Sequence, residues 1–151
     1  MKTIIFGIGN PYRCDDNAGL EVIKELQLKI HNPEIIIKSG SVDGLTLLDE
    51  IHDYPKAIII DSIKSKNGEP GEIKRIEIIP GKKIPATSLS HGIDFIKALQ
   101  IGRDMGYKLP KKIMIFAIEI TDNISFNEEC TEPVKNAIPN AVKFVLNEIK
   151  Q

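Results

Sequence analysis

Tryptophan is missing from the 151-residue chain, and all aromatic residues together make up only 5% of it. So few flat rings leave little surface for bases to stack on, which argues against single-stranded nucleic acid as a partner. An excess of charge is missing too. Twenty Lys and Arg against 21 Asp and Glu leave a formal charge of −1 at pH 7. The lysines are spread along the chain and form no basic arm. Neither phosphate backbones nor anionic membranes are drawn to such a surface. No apolar run approaches the ~20 residues that cross a bilayer. Met1-Lys2-Thr3 leads straight into a short apolar segment, with no secretory h-region. Cysteine is scarce: Cys14 and Cys130 stand far apart with no C-x-x-C. That excludes a zinc knuckle and a disulfide framework, and a reducing cytoplasm is the expected setting.

What is present is ordinary for a globular domain, with 42% hydrophobic and 27% charged residues. The length fits a single domain over residues 1–151. Apolar runs at Thr3 to Gly7, Glu34 to Lys38, Lys56 to Asp61 and Lys112 to Ile118 read as buried strands. Between them, Asn17 to Ile30, Leu45 to Ile51 and Gly92 to Met105 read as helices. In the first helix, Val22, Ile23, Leu26 and Ile30 form one apolar stripe. Ile73 to Ile79 alternates partly and suits an antiparallel edge strand. Ser125-x-x-Glu128 resembles a capping box that opens a C-terminal helical region, which Pro139 should kink or split. The pattern predicts an α/β three-layer sandwich: a mostly parallel sheet, helices on both faces and one antiparallel edge strand.

In such a fold, sites form beyond the carboxyl ends of the strands. Gly7-x-Gly9 follows the first strand, but Tyr12 stands where a dinucleotide fingerprint needs its third glycine. The glycines are then expected to serve a tight turn with positive φ and a close backbone approach. Asp15-Asp16 follows at the start of the helix. One aspartate satisfies the need for a cap, and the other is left over. Asp15 is the better cap, partner of Arg13 or supporting residue, and Asp16 the better ligand. Asp61 ends the run "AIIID", where a desolvated carboxylate needs a partner. His91 in "SLSHGIDFIKAL" falls on the same predicted edge, unlike His31 and His52 near helix ends. Asp16, Asp61 and His91 together offer mixed oxygen and nitrogen ligation. That set suits zinc, nickel or iron better than magnesium or calcium.

"GIGNPYRCDDNAG", "GSVDGLTLL", "DS…GEPGEI" and "SLSHGIDFIKAL" resemble the hydrogenase maturation endopeptidases almost end to end. The resemblance implies a nickel-dependent endopeptidase that removes the C-terminal peptide from the precursor of a nickel–iron hydrogenase large subunit. It implies that Asp16, Asp61 and His91 are the metal-binding and catalytic residues. The nickel is then carried by the precursor, with zinc or cadmium as surrogates. Family members often have glycine after the first-loop acid, where this chain has Asn17. Asparagine tolerates the left-handed conformation that such a glycine would supply.

Two other readings share these residues. A phospho-receiver module would use Asp61 as phosphoacceptor beside the Asp15-Asp16 pair. Its acidic pair should, however, lie directly at the strand end, and its lysine should follow the last strand. Lys111 and Lys112 precede that strand here. A non-catalytic metal-binding member of the fold is the third.

Overall fold

The computed structural model describes residues 2–10, 12, 14–82, 92–121 and 130–150, with residues 92–94 described by backbone alone. Strand β1 (Thr3–Ile8) is followed by a 3-10 turn (Cys14–Asn17) and helix α1 (Ala18–Lys29). Next come β2 (Ile35–Gly40), α2 (Gly44–Ile51), β3 (Lys56–Ile63) and β4 (Ile73–Ile78). The chain ends with α3 (Gly92–Asp104), β5 (Lys112–Glu119) and α4 (Glu132–Ile149). The sheet has the order β2-β1-β3-β5-β4. All pairs are parallel except β4 with β5, which is antiparallel, as the partial alternation at Ile73 to Ile79 predicts.

Side chains of a strand alternate between the two faces of the sheet, and the two cores follow that period. Ile5, Ile58, Ile60 and Phe116 point to the face covered by Val22 and Leu26 of α1 and Val134 and Val145 of α4. Ile4, Phe6, Ile59 and Ile115 point to the other, covered by Leu47 and Leu48 of α2 and Phe95 and Leu99 of α3. Each such side chain contributes about 1.5–3 kcal/mol on burial. β1, β3 and β5 are covered on both faces and read as unbroken apolar runs for that reason.

The C-terminal region departs from the sequence reading. Residues 122–129, which carry the Ser125-x-x-Glu128 pattern, lie outside the described residues. The helix begins at Glu132, after Thr131, and is not divided at Pro139. Proline removes one backbone donor, a cost of about 3 kcal/mol or more. The packing of Val134, Ala137, Ala141, Val142 and Val145 into one core outweighs it. β3 also runs two residues further than expected, so Asp61 is followed within the strand by Ser62 and Ile63.

The amino ends of β3 and β5 are joined to α4 by a buried ion cluster. Lys56 Nζ lies 2.7 Å from Glu148 Oε2 and donates to the Glu148 carbonyl, also at 2.7 Å. Lys112 Nζ adds a contact of 3.1 Å to the same carboxylate oxygen, and Arg75 approaches the other at 3.7 Å. Burial opposes ionisation of Glu148, but the hydrogen bonds from Lys56 and Lys112 outweigh it and hold the pKa below the usual glutamate value. The stabilisation is therefore complete above roughly pH 4.3, the ordinary glutamate value, and is lost as acid takes the pH through the depressed folded value. Glu148→Ala should lower the unfolding free energy by about 3–5 kcal/mol at pH 7. In urea titrations its gap to the parent protein should narrow as the pH falls through the acid range.

Candidate active site

α1 crosses the carboxyl ends of β1 and β3 at backbone contact. A Cβ built at Gly19 would lie 2.6 Å from the Ile8 carbonyl and 2.9 Å from that of Ile60. One built at Gly7 would lie 2.7 Å from the Gly19 carbonyl. One at Gly9 would overlap the Asp16 carbonyl, while the Asn10 N–H donates to that oxygen at 3.2 Å. The glycines of "GIG" thus permit close approach, as expected, but neither Gly7 nor Gly9 has positive φ. Their packing draws the 3-10 turn carrying Asp15 and Asp16 onto the edge between β1 and β3. That is the point where the strand order reverses.

Among the described residues of this loop, the left-handed one is not Asn17, whose φ of −81° is helical, but Cys14, with φ of 40°. A non-glycine residue there is uncommon and is held by its surroundings. The Cys130 thiol approaches the Cys14 carbonyl at 3.7 Å, and the Cys14 thiol approaches Asp15 Oδ1 at 3.8 Å. Burial first, and then the charge of Asp15, push the Cys130 thiol up to about 12. Cys130 should therefore resist iodoacetamide at pH 8 in the folded protein and react once urea unfolds it, as mass spectrometry would show.

The two aspartates of the pair do different things. Asp15 is wholly buried and does not cap α1, whose N-cap residue is Asn17. Its Oδ2 accepts from the Thr121 N–H at 2.9 Å, and its Oδ1 from the Thr131 N–H at 2.6 Å. The Thr131 hydroxyl lies 2.9 Å from both oxygens. Thr131 is the N-cap residue of α4 and makes no side-chain cap of its own. Asp15 thus supplies from outside the negative charge that the start of α4 favours.

Asp16 is half-buried and turns to the sheet. The Ser62 hydroxyl donates to Asp16 Oδ1 at 2.9 Å, and the Ser62 N–H donates to Asp61 Oδ1 at 2.7 Å. Asp61 is 2% exposed and Ser62 fully buried. The structure therefore brings two of the three expected residues, Asp16 and Asp61, to one edge, joined through Ser62. His91 lies outside the described residues. Among the described residues, no three His, Cys, Asp or Glu side chains are grouped closely enough to hold a metal.

The sequence reading assigned no role to Ser62, or to Glu119 at the end of β5. Glu119 Oε1 accepts from the Ser65 N–H at 2.7 Å and from the Ser65 hydroxyl at 2.8 Å. This ties the segment after β3 to the end of β5. Its Oε2 is buried with no hydrogen-bond partner among the described residues. A cavity of about 670 Å³ lies elsewhere, between α1 and α4, lined by residues such as Glu25, Ile138 and Leu146 and not by Asp16 or Asp61. Removing Asp15 would strand the donors of Thr121 and Thr131. Asp15→Ala should cost roughly 2–5 kcal/mol in a denaturation titration. Asp15→Asn, which keeps one acceptor oxygen, should cost less.

Comparison with known proteins bears on the family and the fold. A model of the hydrogenase maturation protease family matches residues 20–148. The chain is similar to the hydrogenase 2 maturation protease of Escherichia coli strain K12, at 24% identity over 156 residues, covering 100% of this chain and 92% of the relative. Its fold is similar to the solved hydrogenase maturating endopeptidase HybD from Escherichia coli, with a TM-score of 0.82 and 24% identity over 99% of this chain and 93% of that one. It is also similar to the NiFe hydrogenase maturation protease HybD from Thermococcus kodakarensis, with a TM-score of 0.77 and 23% identity over 97% and 98% of the two chains. With the family match running through most of its length, the chain belongs to the hydrogenase maturation proteases and is a hydrolase of peptide bonds.

Proposed function

We propose that this protein removes the C-terminal peptide from the precursor of a nickel–iron hydrogenase large subunit, and that nickel already seated in the precursor licenses the cut. Asp16, Asp61 and His91 are the groups assigned to meet that nickel. The observation that carries the reading is the joining of Asp16 and Asp61 through Ser62 at the point where the strand order reverses. The relative from Thermococcus kodakarensis bears a name that specifies a NiFe hydrogenase, and this supports nickel over other metals.

Two carboxylates and an imidazole leave coordination positions open for a metal that arrives with its own ligands. The nickel belongs to the substrate, and there it can polarise the scissile carbonyl or activate a water. This chain's own part is to offer oxygen donors at fixed positions. Asp61 is largely desolvated by the end of β3, which strengthens its attraction to a cation. Zinc and cadmium, which accept the same donors, are the surrogates to use in soaks. The site works as a single domain in the cytoplasm, where the precursor is available. Among the described residues, no helix is long and apolar enough to cross a membrane. The receiver reading with Asp61 as phosphoacceptor yields to the family assignment.

The test is to mix the purified protein with candidate large-subunit precursors, with and without nickel, and to follow loss of the C-terminal peptide by mass spectrometry. Only the nickel-loaded precursor should be cut. Asp16→Asn, Asp61→Asn and His91→Ala should each reduce cleavage at least a hundredfold while circular dichroism stays unchanged. Full activity in all three would end the proposal. Tight nickel binding without any cleavage would favour a non-catalytic, metal-binding role.

A further inference from the structure

We infer that Ser62 is a positioning residue for the cleavage reaction: it fixes the two acidic side chains of the site relative to each other. The inference rests on the reading of Asp16 and Asp61 given above, and it goes beyond that reading by assigning a second residue of β3 a role.

The argument starts from the alternation of β3. Ile58 and Ile60 face α1 and α4, whereas Ile59 and Ile63 face α2 and α3. Continued by one residue, the period directs Ser62 to the α1 side and Asp61 to the α2 and α3 side. Asp16, carried by the turn before α1, comes to the edge from the α1 side. The two carboxylates thus approach the edge from opposite faces of the sheet. Ser62 bridges this division because one residue offers donors in both directions. Its hydroxyl reaches Asp16 Oδ1 at 2.9 Å, and its N–H reaches Asp61 Oδ1 at 2.7 Å.

The bridge is rigid. Ser62 is fully buried within β3, and its register partner on β5 is Ile118. The N–H is backbone and survives any substitution except proline. The hydroxyl is the removable half, and it bonds to a charged acceptor, the stronger kind of hydrogen bond. A half-buried aspartate has two side-chain torsions to lose. The hydroxyl selects one arrangement before the substrate arrives, so less ordering remains to be done at the site.

Ser62→Ala keeps the Asp61 contact and removes the Asp16 contact. It should lower kcat/KM for the nickel-loaded precursor ten- to a hundredfold, the range for residues that orient ligands. Its melting temperature and its binding of the nickel-free precursor, measured by surface plasmon resonance, should stay close to those of the parent protein. A merely structural defect would weaken that binding as well. Ser62→Thr, which restores a hydroxyl, should recover most of the rate, while Ser62→Cys, of similar volume but a weak donor, should behave like the alanine variant. Cleavage by Ser62→Ala within twofold of the parent would overturn the inference. So would an equal loss of nickel-free precursor binding. An active Asp16→Asn variant would overturn the reading of the site, and this inference with it. That outcome is separable, because Asp16→Asn leaves Ser62 in place.

Discussion

A carboxylate with no access to water has to be surrounded by donors, and Asp15 finds its donors far away in the chain. They come from Thr121, just beyond β5, and from Thr131, at the start of α4. One side chain therefore joins the loop after β1 to both ends of the connection between β5 and α4. The position of Asp16 follows from it, since the neighbouring residue has little freedom once Asp15 is locked. The left-handed Cys14 follows too, because that residue is held between Asp15 and Cys130. A backbone conformation that cysteine does not favour is tolerated where tertiary contacts on both sides demand it.

Buried carboxylates lie at both ends of the sheet, and Asp15 and Glu148 are satisfied in different ways. At the carboxyl edge, backbone amides and a threonine hydroxyl serve Asp15. At the amino edge, Lys56 and Lys112 serve Glu148. The ion cluster stabilises only above the acid range, and it lies at the opposite end of the strands from Asp16 and Asp61.

The layers were readable because apolar runs report burial on two faces, and β1, β3 and β5 are buried on both. The edge was readable from Asp61, since a carboxylate closing an apolar run can only be reaching the rim. Finer features were not readable, for reasons that can be named. Asp15 looked like a helix cap because its neighbours in sequence suggested it, while its partners lie 106 and 116 residues away. Asn17 looked like the left-handed residue because asparagine tolerates that conformation. Tertiary contacts placed the strain at Cys14 instead. Pro139 looked like a kink or a split because its local cost is certain, whereas the packing that offsets it is not local, and the helix is not split there. His91 lies outside the described residues, so it stands on the sequence alone.

Ser62 shows why the acidic pair could not be understood by itself. The pair raised the question of which aspartate faces the chemistry, and the sequence favoured Asp16 without a contact to support the choice. The distinction comes from β3. Its alternation sends a hydroxyl to the side where Asp16 arrives, and its backbone holds Asp61 at the same level. Asp16 is then the member of the pair that meets the sheet, and Asp15 the member that meets α4. A parallel sheet makes this division natural, because every loop beyond its carboxyl edge starts from a strand whose side chains already alternate between faces. A site that draws on both faces needs one residue at the rim that can bond both ways. Serine, with a donor on its backbone and another one carbon out from it, is short enough to do so without leaving the strand.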